Sequence, residues 1–210
     1  MQYFDPPNID KSILWKAGIN ETVLVPIQPI KGALPQNCLN NVRAYIDKFG
    51  GEVQLGWIFS IMGNIALKLT AHAVVKTKEK KFLCVTPNPN RKGKIRFSPD
   101  NAVNALIVND FLPQKLVPLI TDKMLDNYLA LEREMNDLRL ANSGVVSQKQ
   151  VLDIQLKAQV LYPSILQLAK ENTSKKDYCF CGSNNKRAKC CKYDQIIANN
   201  YWRLLRSLEQ

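Results

Sequence analysis

Val53-Gln-Leu-Gly-Trp-Ile-Phe-Ser-Ile-Met-Gly-Asn-Ile-Ala-Leu-Lys-Leu-Thr-Ala-His-Ala-Val-Val-Lys76 is the stretch whose reading decides the fold. Residues 53–60 carry the aromatic and β-branched composition of a strand. Met62-Gly-Asn64 supplies turn chemistry, and a second strand from 65 to 76 alternates through Leu67, Leu69 and Ala71. Lys78-Glu-Lys-Lys81 reads as a charged turn and Phe82-Leu-Cys-Val-Thr86 as a third strand, so two successive hairpins predict an antiparallel meander. Pro87-Asn-Pro-Asn-Arg-Lys-Gly93 is a basic loop, and Ile95-Arg-Phe97 adds one further short strand.

Upstream, Leu39, Val42, Tyr45, Ile46 and Phe49 recur at helical spacing and Gly50-Gly51 stops the run. Cys38 therefore falls in the first turn of an amphipathic helix. Residues 1–34 read as an extended, proline-punctuated lead-in, with Pro26 and Pro29 restricting Thr22-Val-Leu-Val-Pro-Ile-Gln-Pro-Ile30 to an edge strand or a wrapped arm. Downstream of Pro99 the character is helical. A short helix is expected near 101–109, another apolar piece at 116–120, and two long segments at 122–140 and 147–170, the second bent at Pro163 and capped by Ser147. These two long segments predict an antiparallel helical hairpin, and 193–208 reads as a terminal helix. The fold class is α+β, in three parts: a helix-plus-meander domain over 1–100, a helical hairpin over 101–173, and a small cysteine module with the terminal helix over 174–210.

The 210 residues suffice for a hydrophobic core, and 46% hydrophobic with 22% charged residues is the composition of a soluble globular protein. No apolar run is long enough for a membrane-spanning helix, and Met-Gln-Tyr-Phe-Asp-Pro-Pro lacks a basic-then-apolar leader, so a reducing cytoplasmic setting is expected. A net charge of +11 suits RNA, a ribosome, an anionic surface or an acidic protein face; a solvated basic surface with no partner is the plainer reading. The glycines form no phosphate-cradling pattern, which removes support for nucleotide binding. Arg91, Lys92, Lys94 and Arg96 cluster on one loop, suited to phosphate contact or to plain solvation. Trp57, Phe59, Tyr201 and Trp202 fit core positions better than stacking platforms.

Four of the six cysteines fall within thirteen residues, Cys179, Cys181, Cys190 and Cys191, spaced C-x-C-x8-C-C. Zinc favours four soft ligands in a closed tetrahedron, and four thiolates supply that set. Gly182, Ser183, Asn184 and Asn185 tolerate the turns that would bring the two pairs together. Lys186, Arg187, Lys189 and Lys192 offset the charge of such a centre and favour the thiolate forms. A pair of disulfides and a set of free buried thiols are the competing readings.

The run Cys179-Phe-Cys181-Gly-Ser-Asn-Asn-Lys186-Arg-Ala-Lys-Cys190-Cys191 resembles the SEC-C motif, the small zinc module first known at the C-terminal tail of the bacterial preprotein translocase motor. That pattern reads C-x-C-G-S-G, a basic stretch, then C-C or C-H. The departure is Asn184 in place of glycine, and Asn is the next-best residue for a left-handed backbone. The resemblance implies bound Zn2+ and a docking tag for a ribosome, RNA, chaperone or other protein.

A second constellation is Cys38 with His72, the chain's only histidine. A helix N-terminus stabilises a thiolate, and a histidine on a neighbouring strand can take the thiol proton. Asn37-Cys38-Leu39, Thr70-Ala-His72-Ala-Val and Leu83-Cys84-Val-Thr86-Pro87 resemble the order of transglutaminase-like and papain-like thiol hydrolases. They also resemble small bacterial proteins with a Cys-helix, a Gly-Trp strand (Gly56-Trp57 here) and a His-bearing strand before an Asp-Val-Thr-Pro turn. The resemblance implies Cys38 as nucleophile and His72 as base. Its departure is Cys84 where such families carry aspartate, because a neutral thiol does not stabilise an imidazolium as a carboxylate does; Asn88 or Thr86 is a candidate substitute, and Gln36 or Asn37 a candidate oxyanion donor. A structural Cys38 and a satisfied His72, or a second zinc site from Cys38, His72 and Cys84, are the alternatives. The leading expectation is a zinc-binding interaction protein, and the competing one a cysteine hydrolase or acyl-transfer enzyme.

Overall fold

The computed structural model describes residues 3–6, 8–88 and 93–191; the expected terminal helix, Arg91, Lys92, Lys192, Tyr201 and Trp202 lie outside them. In chain order the elements are α1 (Lys11–Lys16), β1 (Val23–Pro26), α2 (Cys38–Phe49), β2 (Glu52–Met62), β3 (Ala66–Lys76), β4 (Phe82–Leu83), β5 (Lys94–Pro99), a 3-10 turn (Asn101–Leu106), β6 (Gln114–Pro118), α3 (Lys123–Ala141) and α4 (Gln148–Glu171). A single 3-10 turn, Arg187–Lys189, follows. Helices and an antiparallel sheet, a helical hairpin and a C-terminal cysteine cluster make this the α+β fold that the sequence predicts.

The six strands form one sheet in the order β1-β5-β2-β3-β4, with β6 also on β3. β2 and β3 pair along their whole length, Glu52↔Lys76 to Met62↔Ala66, and Gly63 and Asn64 take the left-handed conformations that a tight hairpin turn needs. β1, ending at Pro26, occupies the sheet edge, where a proline removes no ladder bond. β4 is shorter than expected, reduced to Phe82–Leu83. Beyond it the chain bridges Ile27 in parallel at Cys84 instead.

Two further segments differ from the sequence reading. The lead-in contains α1, capped by Asp10, whose carboxylate accepts from the Ser12 N–H at 2.8 Å. The apolar piece near 116–120 is a strand, β6, paired with β3 from Ala66↔Pro118 to Thr70↔Gln114.

β2 fills one edge of β3, so β4 and β6 share the other. β4 covers its end at Val75 and Lys76, β6 its start at 66–70. Between them the Ala71 N–H reaches Pro113 O at 3.0 Å, and the backbone of residues 72–74 meets neither ladder on that edge. Cys38, the first residue of α2, lies against this stretch and accepts from the Ala73 amide.

The period-2 alternation of β3 sorts the core. Leu67, Leu69, Ala71, Ala73 and Val75 face Leu39 and Val42 of α2, with Trp57 and Phe59 of β2 in the same layer. Val74 lies on the opposite face with Val25, Cys84, Ile95 and Phe97, and His72 shares that parity. A third core joins the hairpin tip (Met62, Ile65) to Leu125 and Leu129 of α3, Ile165, Leu166 and Ala169 of α4, and Cys179 and Phe180. The N-caps of the helical hairpin are Asp122, bonded to the Met124 and Leu125 amides, and Ser147, as expected, bonded to the Gln150 amide. α4 continues through Pro163.

Candidate metal centre and thiol cleft

The four C-terminal cysteines meet because a short hairpin returns on itself. Tyr178 bridges Lys186, the Cys179 N–H donates to Asn185 O at 2.8 Å, and Gly182 N–H donates to Cys179 O at 3.1 Å. Asn184 adopts φ +60°, the left-handed conformation anticipated for it. The Arg187–Lys189 turn then delivers Cys190 and Cys191 opposite Cys179 and Cys181. All four sulfurs lie within 4.8 Å of one another. Cys181 and Cys190 are 3.5 Å apart, Cys190 and Cys191 3.7 Å. A zinc tetrahedron with Zn–S bonds of about 2.3 Å has sulfur–sulfur edges of about 3.8 Å, so the set fits a tetrahedral thiophilic ion. It is not a disulfide pair: all six cysteines are free thiols, and a disulfide needs sulfurs about 2.05 Å apart.

The electrostatics fit as well. Burial pushes Cys179 up to about 11 and also raises Cys191. Burial opposes ionisation of Cys190 too, yet hydrogen bonds from Ser183, 3.0 Å away, and from its neighbours bring it down to about 7. A divalent cation bound among the four sulfurs would favour the thiolate form of its ligands against the cost of burial.

The basic residues of the module divide. Lys186 stacks on Tyr178 at 4.0 Å. Arg187 lies over Phe180 at 4.9 Å and donates to Lys170 O at 3.0 Å, satisfying the C-terminus of α4. Lys175, Lys176 and Lys189 stay exposed. Asp177 accepts from Ser174 N–H and from Asn64 Nδ2, tying the module to the β2–β3 turn.

The second site is a cleft of about 560 Å³ at the notch on β3, lined by residues that include Cys38, His72, Cys84, Asn88, Gln114 and Arg139. The sequence-predicted pair is thus brought to one cavity. Cys38 opens α2 and is 6% exposed. Burial pushes its thiol up to about 11. The Ala73 backbone amide, on the open edge of β3, and the amides of Leu39 and Cys38 pull the other way, while the nearby Cys84 adds to the rise.

His72 Nε2 meets the sulfur of Cys84 at 3.3 Å. Cys84 thus stands at the ring, where the resembling families place a carboxylate. Of the proposed substitutes, Thr86 turns its hydroxyl to Asn41 Nδ2 at 3.1 Å, and Asn88 lines the cleft. Gln36 and Asn37 line it too, Gln36 at φ +63°. Sequence reasoning missed Gln114 and Arg139, which arrive from β6 and α3 with no local motif. Arg139 is held by Leu112 O at 2.5 Å and Asn136 Oδ1 at 3.2 Å. Among the described residues, only the C-terminal four form a group of three or more His, Cys, Asp or Glu that could share an ion. Trp57 and Phe59 are buried, as core positions require.

Comparison with protein-family models, with curated proteins and with solved structures finds no match to this chain. No helix of the described residues is long and apolar enough to cross a membrane.

Proposed function

We propose that this is a zinc-binding interaction protein whose basic, SEC-C-like module docks on a macromolecular partner: a ribosome or RNA, a chaperone or another protein. The observation that carries the reading is the convergence of four cysteine sulfurs within 4.8 Å. Cys179, Cys181, Cys190 and Cys191 would hold the ion, which when bound cross-links the two arms of the hairpin. Exposed Lys175, Lys176 and Lys189 leave a cationic face beside it, and a net charge of +11 favours an anionic partner. Protein purified without added metal should contain about one equivalent of zinc. The Cys190→Ser/Cys191→Ser double variant should lose it, and zinc-loaded protein should co-sediment with ribosomes in a manner that weakens steeply with salt. Full zinc retention in the double variant refutes the metal centre, and salt-independent binding redirects the search to an apolar protein interface.

One observation favours a second reading, a cysteine hydrolase or acyl-transfer site: Cys38 and His72 line the same cleft. In that reading Cys38 is the nucleophile and His72 the base. The elevated Cys38 thiol and the neutral Cys84 beside the ring weigh against it, and for that reason it stands second. Iodoacetamide should label Cys38 faster than Cys84, and His72→Ala should slow that labelling; equal, sluggish labelling of both removes the reading.

A further inference from the structure

The charges lining the cleft on β3 do not balance. Among the described residues, Arg139 is the one lysine or arginine in its wall and Asp110 the one aspartate or glutamate. Asp110 is already paired from outside the cleft, its Oδ1 3.0 Å from the Arg43 guanidinium. Arg139 has no carboxylate partner among the described residues: its Nη2 donates to Leu112 O and to Asn136 Oδ1, both uncharged. That clamp is part of the fold, because buried Asn136 also accepts from the Gln114 N–H at 3.2 Å and so ties Arg139 to β6. Nη1 and Nε donate to no other described residue. Burial holds the guanidinium below the usual arginine range, with no neighbouring carboxylate working against it.

We propose that the cleft binds a carboxylate with an apolar body, its charged end set against Arg139. Gln114 and Thr70 supply neighbouring donors. They are cross-strand partners in the β6–β3 ladder, so their side chains leave the same face, which His72, two residues along β3, shares. Both side chains line the cleft, and neither is bonded to another described residue. A single cation matches a monoanion, and the amide and the hydroxyl complete its hydrogen bonds without adding a second charge. Ile58, Ile95, Phe111 and Leu112 give the apolar body a wall. A volume of about 560 Å³ is that of a small-molecule site. Binding does not rest on the thiol reading above. Where that reading holds, the carboxylate is the handle that places the substrate, and where it falls the cleft is a binding site alone.

The test is titration of the full-length ¹⁵N-labelled protein with 4-phenylbutyrate and, separately, with its neutral isostere 4-phenylbutanamide. Salt at about 0.15 M screens general attraction to the +11 surface. The acid should shift the amides of residues 36–39, 70–72 and 110–114. It should bind about tenfold tighter than the amide, the size of one hydrogen bond to a charged group. Arg139→Gln should reduce the acid to the affinity of the amide. Gln114→Ala, which leaves the backbone ladder in place, should weaken the acid more than the amide. Equal affinities in the wild-type protein, no binding at millimolar acid, or shifts confined to lysine-bearing surface outside the cleft each overturn the proposal without any variant. So does a preference for the acid that survives in an Arg139→Gln protein whose amide spectrum is native. Acid binding beside sluggish Cys38 labelling leaves the site standing and removes the thiol-enzyme reading; fast, His72-dependent labelling with no preference for the acid does the reverse.

Discussion

Cys38 occupies a helix N-terminus, a place that lowers thiol pKa values, yet its own is pushed up to about 11. Magnitudes explain the sign. A helix end contributes about 0.3–1 kcal/mol, roughly 2 at best, or about one and a half pKa units at most. Full burial shifts a pKa by up to about 3–5 units, and Cys38 is 6% exposed. Desolvation wins, and at neutral pH the residue is a thiol. Its alkylation rate should therefore climb about tenfold per pH unit through pH 8–10 and level off only near 11, because the thiolate is the reactive form. A plateau below about 8.5, moving upward in His72→Ala, would show the histidine activating the sulfur. The linkage to stability has the same sign. The folded state holds the proton more tightly than the unfolded chain, so this contribution is complete below about 8.5 and is lost as pH rises towards 11.

Among the elements, the β2–β3 hairpin tip is the contact most sensitive to a single atom. A Cβ on Gly63 would lie 2.5 Å from Ala169 Cβ on α4 and 3.1 Å from Phe180 Cβ in the metal module, at φ +49°. Gly63→Ala should thus cost about 2–4 kcal/mol, overpacking and left-handed strain together. Gly93→Ala, also at positive φ but with nothing within 4 Å, should cost about 1–2 kcal/mol. Urea unfolding of the two metal-loaded variants separates the terms; equal losses would mean that the tip does not approach α4 and the module so closely. The β2–β3 hairpin was legible in the sequence because turn chemistry at Gly63-Asn64 joins two long alternating runs. α2 and both helices of the hairpin were legible because their apolar spacing and the caps at Gly50 and Ser147 agree. β6 was not: Gln114-Lys-Leu-Val-Pro118 is five residues that follow Pro113 and end in proline, too short for periodicity to distinguish strand from helix, and its partner on β3 lies more than 40 residues away. α1 is a six-residue helix hidden among prolines, signalled only by its Asp10 cap. The cysteine module could be read from spacing alone, and so could the placing of Cys38 at the start of a helix and of His72 on a strand. The Cys84–His72 contact, Gln114 and Arg139 could not, because the notch that gathers them exists only once β4 and β6 share an edge of β3.

For the molecule as a whole, the decisive feature is that the cysteine module does not hang from the fold by a linker. Cys179 and Phe180 are buried in a core with Met62 and Ile65 of the hairpin tip, Leu125 and Leu129 of α3, and Ile165, Leu166 and Ala169 of α4. A candidate ligand and its neighbour in sequence therefore belong to the same packing as the sheet. Structural zinc contributes about 10–16 kcal/mol to small modules, comparable with the 5–15 kcal/mol stability of a whole domain. Removing the ion should accordingly be felt beyond residues 177–191. Hydrogen exchange of metal-loaded and chelator-stripped protein provides the measurement. Stripping should raise exchange in the module, at residues 62–66 and in the last turns of α4. The Val25, Ile95 and Phe97 layer, at the other end of the sheet order and in a separate core, should keep its protection. Exchange confined to 177–191 would make the module an independent appendage. Loss of protection everywhere would make the ion a requirement for folding the entire chain. The intermediate pattern would mean that a partner gripping the cysteine module also grips the hairpin that carries His72, whose pair Gly56↔His72 lies on the same two strands as the tip pair Met62↔Ala66.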